Sequence, residues 1–165
     1  MKKTLLLAFL AIALVHLSNP AKAQVVFSIG GHFGVDLDQD VTFAGALARL
    51  DVGLPLVLQP SVDFGLNEHD EYTRAEGALI YYIGEDHTEI FTPYVGAGAT
   101  FFWRETDADD DDDDFDVGPS VLGGLEFGPF GPGLVPYVQA RYTILPGTDP
   151  LNIMGGLLIR FGRYE

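Results

Sequence analysis

Alternation of apolar and polar side chains over short segments constrains the fold of this chain more than any other feature. In residues 151–161 the alternate positions on one side are Leu151, Ile153, Gly155, Leu157, Ile159 and Phe161. Between them lie Asn152, Met154 and Arg160. Because successive side chains of a β-strand point to opposite faces, this segment predicts a strand with one apolar face.

The same pattern recurs along the chain and is separated by glycine, proline and aspartate, which favour turns. No run of 18 apolar residues occurs after residue 23, which excludes a membrane-spanning helix there. The predicted strands are 25–35, 42–53, 56–66, 72–83, 90–104, 117–127, 134–145 and 151–162. Most have the length that a tilted strand needs to cross a bilayer.

The charged residues indicate which face of each strand points inward. Five of the six arginines and four acidic residues share the polar side of their strands: Arg49, Asp51, Asp63, Arg74, Glu76, Arg104, Glu126, Arg141 and Arg160. That side is rich in glycine and serine and holds no lysine, unlike a solvated surface. We therefore predict an ion-pair network in a narrow lumen, because eight strands leave room only for side chains.

The apolar side carries aromatic residues near both ends of the predicted strands. In an antiparallel order, one set lies near the external rim: Phe33, Phe64, Phe101, Trp103 and Tyr142. The other set lies near the periplasmic rim: Phe27, Tyr81, Phe91, Phe127 and Phe161. Two aromatic belts with aliphatic residues between them are typical of a lipid-facing surface.

The predicted fold is all-β: an eight-stranded antiparallel up-and-down transmembrane β-barrel with a filled polar lumen. Over residues 25–162 the pattern resembles the small outer-membrane barrels of the OmpA, OmpX and opacity-protein kind. Within residues 156–161, Gly156, Ile159 and Phe161 resemble the C-terminal signal that the barrel-assembly machinery reads, although four residues follow the aromatic. The resemblance implies that this machinery and outer-membrane lipid are partners.

The N-terminus predicts export. Two lysines, an apolar run from Leu5 to Leu17 and an Ala21-Lys22-Ala23 site are typical of a cleaved signal peptide spanning residues 1–23. We expect residues 24–165 to form the barrel domain in the outer membrane. These residues contain no cysteine and hold 24 acidic residues against six arginines, a formal charge of −18 that argues against nucleic acid as a partner.

Residues 105–116 form an acidic external loop in this reading. Eight of the ten residues 107–116 are aspartates, which favours an extended, solvated segment. Carboxylate oxygens suit calcium or magnesium, so weak cation binding is the alternative interpretation for Asp109, Asp110, Asp111, Asp112, Asp113 and Asp114. No other cofactor is predicted.

Catalytic signatures are weak. Ser28, His32 and Asp36 share the inner face of the first strand, but residues four apart on a strand are about 13 Å apart and form no relay. We therefore predict a non-enzymatic, monomeric barrel that contributes to envelope structure or surface interaction. The alternative is an enzyme that modifies lipid A or phospholipid. Pro60, in the middle of the third strand, predicts either a bulge there or a misplaced strand.

Overall fold

The computed structural model describes residues 26–51, 55–66, 72–84, 90–104, 114–128 and 133–161. Its eight strands are β1 (Val26–Asp36), β2 (Val41–Asp51), β3 (Val57–Gly65), β4 (Tyr72–Tyr82), β5 (Phe91–Arg104), β6 (Asp114–Phe127), β7 (Leu134–Thr143) and β8 (Leu151–Phe161). Each strand pairs antiparallel with the next, and β8 pairs with β1 to close a barrel. The predicted eight-stranded antiparallel barrel is confirmed. Among the residues described, none belongs to a helix long and apolar enough to span a membrane.

The register of the strands is strongly staggered. A row of paired residues starts at Phe27, passes once around the barrel through Leu50, Leu79 and Val121, and reaches Leu151. The backbone amide of Leu37 donates to the carbonyl of Leu151, so the row returns to β1 ten residues further along. This stagger requires the strands to tilt by about 35–45° from the barrel axis.

We name the two ends of the barrel by what lies there. The terminal end holds the start of β1 at Val26 and the end of β8 at Phe161. The distal end holds the β1–β2, β3–β4, β5–β6 and β7–β8 connections. At the distal end, Asp40 adopts a positive φ of 56° in the β1–β2 turn and Gly147 one of 82° in the β7–β8 connection.

The outward face is apolar over its whole height. Ile29, Leu79, Val95, Ile153 and Leu157 each have between 46% and 50% of their surface exposed. At the distal end the exposed rings are Phe33, Phe64, Phe101, Trp103 and Tyr142. At the terminal end Tyr81, Phe91 and Phe161 are exposed, whereas Phe27 and Phe127 are half-buried.

The acidic segment is shorter than predicted, because β6 begins at Asp114 and not at residue 117. Phe115 continues the alternation outward, with its ring centroid 5.3 Å from that of Trp103 in β5. Asp116 pairs with Phe102 in the ladder. The aspartate run conceals this strand start in the sequence, because its charge outweighs the single aromatic residue. Residues 105–113 and the predicted signal peptide lie outside the described residues, as do residues 52–54, 85–89 and 129–132 between strands at the terminal end.

Pro60 produces neither a bulge nor a misplaced strand. The pairs Leu47–Ser61 and Leu50–Leu58 flank it, and two residues intervene on each strand, so no extra residue is inserted. The β2–β3 ladder has no bridge at those two positions, whereas Pro60 still pairs with Gly77 on the β4 side. A proline has no amide to donate, so the barrel keeps its register and loses pairing locally.

Candidate functional site in the barrel lumen

The centre of the lumen is organised around the carboxylate of Asp63 in β3. Its Oδ2 accepts hydrogen bonds from Arg74 Nε at 2.9 Å and Arg141 Nη2 at 2.6 Å. Its Oδ1 lies 2.6 Å from Nε2 of His32 in β1. The side chains of Asp63, Arg74 and His32 are fully buried. Because a buried charge is costly unless it is paired, these contacts are what allow an aspartate to lie here.

Arg141 extends this central cluster to a second carboxylate. Its Nη1 donates to Oε2 of Glu76 at 2.7 Å, while Nη2 remains on Asp63. The other oxygen of Glu76 accepts a hydrogen bond from the hydroxyl of Ser120 at 2.5 Å. One guanidinium therefore bridges two carboxylates on neighbouring strands β3 and β4 from the opposite wall.

A second cluster lies nearer the terminal end around Glu126 in β6. Its carboxylate accepts from Arg49, from Arg160 Nη2 at 2.7 Å and from the Tyr82 hydroxyl at 2.6 Å. Arg49 also donates through Nε to Gln59 at 2.8 Å. This terminal cluster thus ties together β2, β3, β4, β6 and β8.

Aromatic rings cover the buried guanidinium groups. The Arg49 guanidinium lies 4.4 Å from the ring centroid of Tyr94, and that of Arg74 lies 4.8 Å from Phe43. A cation over a ring face is stabilised by the ring quadrupole. The amide of Gln139 joins the two clusters. It accepts from Tyr94 and Gln59, and it donates at 3.7 Å to the sulfur of Met154, which also accepts from Arg141 at 3.9 Å.

Apolar side chains fill the rest of the lumen. A cluster toward the distal end consists of Val41, Phe43, Tyr72, Phe102, Leu145 and Met154. Two further clusters consist of Val57, Ala78, Ile80, Tyr94 and Leu122, and of Leu47, Val135, Tyr137 and Leu158. The inner face is therefore a packed mixture of ion pairs and large apolar groups, more apolar than the sequence pattern indicated.

The other two residues of the predicted network, Arg104 and Asp51, lie at opposite ends of the barrel. Arg104 is the last residue of β5 at the distal end, where its Nη2 donates to Oε1 of Gln39 at 3.2 Å. Within the described ranges no carboxylate forms a salt bridge with it. Asp51 is half-buried at the terminal end of β2, opposite Val26.

Ser28, His32 and Asp36 are all buried on the inner face of β1, and His32 and Asp36 bond to different partners. His32 contacts Asp63, and Asp36 accepts from Asn152 Nδ2 at 2.9 Å. Across the described part of the chain, no group of three histidine or acidic side chains is placed to hold a metal ion. The side chains of the predicted cation site, Asp109 to Asp114, lie outside the described residues.

The residues of the predicted insertion signal occupy different faces of β8. Ile159 and Phe161 face outward, with 50% and 52% of their surface exposed. Gly156 faces inward, where a Cβ would collide with the carbonyl oxygen of Gly31 and come within 2.8 Å of the Tyr137 ring. A side chain larger than hydrogen would therefore push against the β1 backbone as well as Tyr137.

Several residues of the network were not among those predicted for it from the sequence. They are the neutral members Gln59, Tyr82, Tyr94, Ser120, Gln139 and Asn152, all buried or half-buried. Each lies an even number of residues from a charged inward residue of its own strand, as Gln139 does from Arg141, and therefore points inward too. The alternation of inward and outward positions is therefore the signal that could have found them. It does not say which contacts they make.

The comparisons with known proteins agree on the fold. No protein-family model matches the sequence, and no curated protein is significantly similar to it. Among solved structures, the N-terminal β-barrel domain of Pseudomonas aeruginosa OprF matches with a TM-score of 0.71 and 13% identity, over 85% of this chain and 100% of that one. Ail, the attachment invasion locus protein of Yersinia pestis, matches with a TM-score of 0.58 and 15% identity, over 84% and 99%.

The outer membrane enzyme PagL is also similar, with a TM-score of 0.51 and 12% identity over 81% of this chain and 98% of that one. At these identities the likeness concerns the fold and not the activity. The chain therefore has the fold of the small eight-stranded outer-membrane β-barrels. This fold carries proteins of different activities, so the function depends on the chemistry of the lumen and of the surface.

Proposed function

We propose that this protein is a non-enzymatic outer-membrane barrel that contributes to envelope structure or to contacts at the cell surface. The observation that carries the proposal is the filled lumen. Arg141 bridges Asp63 and Glu76 across the centre, and apolar clusters fill the space around the paired charges. We infer that a lumen filled in this way over the described residues neither passes solutes nor holds a substrate.

The outer surface supports a location in lipid. Exposed apolar side chains cover the outward face, with Phe33 exposed by 70% and Val121 by 56%. Soluble monomers rarely expose contiguous apolar patches of this extent, and bands with aromatic residues at both rims suit a bilayer. We therefore place the barrel as a monomer in the outer membrane after cleavage of the predicted signal peptide.

Gel mobility tests this placement. The protein from an outer-membrane fraction should migrate faster in detergent gels when unheated than after boiling, because the closed barrel resists detergent. Its N-terminal sequence should begin at Gln24. A protein found in the soluble periplasmic fraction, with no heat-dependent shift, would contradict the placement.

Conductance in planar bilayers tests the filled lumen. The purified protein should give no stable single-channel steps. A Glu76→Ala/Arg141→Ala variant removes the central bridge while keeping the lumen charge balanced, and it should raise the frequency of small steps. Regular channel openings by the unmodified protein would refute the filled-lumen proposal.

An enzyme acting on lipid A or phospholipid is the second candidate, because His32 lies 2.6 Å from a carboxylate and PagL shares the fold. Both side chains of the pair are fully buried, and Asp63 also accepts from two arginines, which disfavours a role on a lipid substrate. Mass spectrometry of lipid A and phospholipids should show the same species in cells with and without the gene. A change that disappears in a His32→Ala variant would favour the enzyme.

A further inference from the structure

The distal turn between β1 and β2, residues 37–40, is built on one buried carboxylate. Oδ1 of Asp36 accepts the backbone amides of Asp38 at 3.1 Å and Gln39 at 3.2 Å. The carboxylate of Asp38 in turn accepts the amide of Leu151 at 3.0 Å. The path of this surface turn therefore follows the position of Asp36.

The second oxygen of Asp36 faces the lumen. Oδ2 accepts from Asn152 Nδ2 at 2.9 Å, and the side-chain oxygen Oδ1 of Asn152 accepts from Arg74 Nη1. Arg74 donates through Nε to Asp63 at the centre of the lumen. Asp36, Asn152, Arg74 and Asp63 each have at most 1% of their surface exposed, so water does not compete for these bonds.

We propose that Asp36 couples the conformation of the distal turn to the order of the central ion pairs. The carboxylate of Asp36 and the amide of Asn152 are both planar groups whose two ends are bonded to different partners. If either group rotates to follow one of its two partners, it loses the bond to the other partner. A shift of Arg74 is therefore transmitted through Asn152 and Asp36 to the backbone of residues 38 and 39.

The coupling has a consequence for anything that binds the distal turn. Gln39 also accepts from Arg104 Nη2 at 3.2 Å. The turn is therefore bonded both to β5 at the distal end and to Asp36 in the lumen. Coupling free energies are reciprocal. A partner that holds the turn therefore orders Arg74, and disorder of the central cluster loosens the surface that a partner would meet.

Hydrogen exchange of individual backbone amides tests the coupling. The full chain refolded in detergent micelles is compared with Asn152→Leu, which removes both bonds of Asn152 at similar volume. Exchange of the Asp38 and Gln39 amides should accelerate about fivefold, as expected for the loss of one net hydrogen bond. The matched control is Ser120→Ala, which removes the Ser120–Glu76 bond on the other side of the same cluster and should leave both rates unchanged.

Asn152→Ser provides a second variant, since it keeps a polar group but cannot reach both Asp36 and Arg74. It should accelerate the same two amides. Unchanged exchange at Asp38 and Gln39 in a folded Asn152 variant would overturn the coupling. So would an equal acceleration in Ser120→Ala, because it would indicate general loosening of the lumen and not transmission through Asp36.

Discussion

Arg141 in β7 and Asp63 in β3 meet across the barrel, with Nη2 of the arginine 2.6 Å from Oδ2 of the aspartate and both side chains buried. The two residues are 78 positions apart in the chain. Since Asp63 also contacts Arg74 and His32, four strands depend on one carboxylate.

Asp63→Asn should destabilise the barrel strongly. The change removes the negative charge that neutralises Arg74 and Arg141, and breaking a buried ion pair costs about 3–5 kcal/mol. Urea unfolding in lipid vesicles, followed by gel shift, measures the loss. Asp40→Asn is the control, since Asp40 is exposed and asparagine tolerates its positive φ of 56°. Equal midpoints for the two variants would contradict the central role of Asp63.

Arg141→Leu and Arg160→Leu should differ in severity. The Arg141 side chain is 1% exposed and bridges two acids, whereas that of Arg160 is 19% exposed at the terminal end. We expect a loss of about 3–5 kcal/mol for Arg141→Leu. For Arg160→Leu we expect about 1–3 kcal/mol together with a lower refolding yield. The ranking fails if Arg160→Leu proves the more damaging of the two.

Two glycines on neighbouring strands should respond oppositely to alanine. A Cβ at Gly96 would lie 2.7 Å from the carbonyl oxygen of Leu79 and 2.8 Å from Ile80 Cγ2, so Gly96→Ala should cost about 1–3 kcal/mol. At Gly77 a Cβ meets nothing within 4 Å, and Gly77→Ala should be neutral or stabilising by about 0.5–1 kcal/mol. Refolding yield and unfolding midpoint measure the effect of each variant. If Gly96→Ala had no effect on either, the strands β4 and β5 could move apart at Gly96 at little cost in free energy.

Pro60→Val should stabilise the barrel. The substitution supplies the amide that the β2–β3 ladder lacks at this position, and one backbone hydrogen bond contributes about 0.5–1.5 kcal/mol net. Pro136→Val, near the start of β7, is the matched control and should gain less. A lower unfolding midpoint for Pro60→Val would mean that proline is preferred there for a reason other than pairing.

The sequence by itself determined the number of strands, their order along the chain and the side on which each residue lies. These properties depend on side-chain alternation, which is local and has a fixed period of two. The sequence alone therefore predicted that Arg141 and Asp63 point inward. The start of β6 was less well determined, since the aspartate run concealed the outward position of Phe115.

Only the tertiary structure decided which inward residues meet. Contacts across the lumen depend on the stagger that returns the row from Phe27 to Leu37, and stagger is a property of the closed barrel and not of any one strand. For this reason Arg141 reaches both Asp63 and Glu76, whereas Arg104, which was also predicted to point inward, bonds to Gln39 at the distal end.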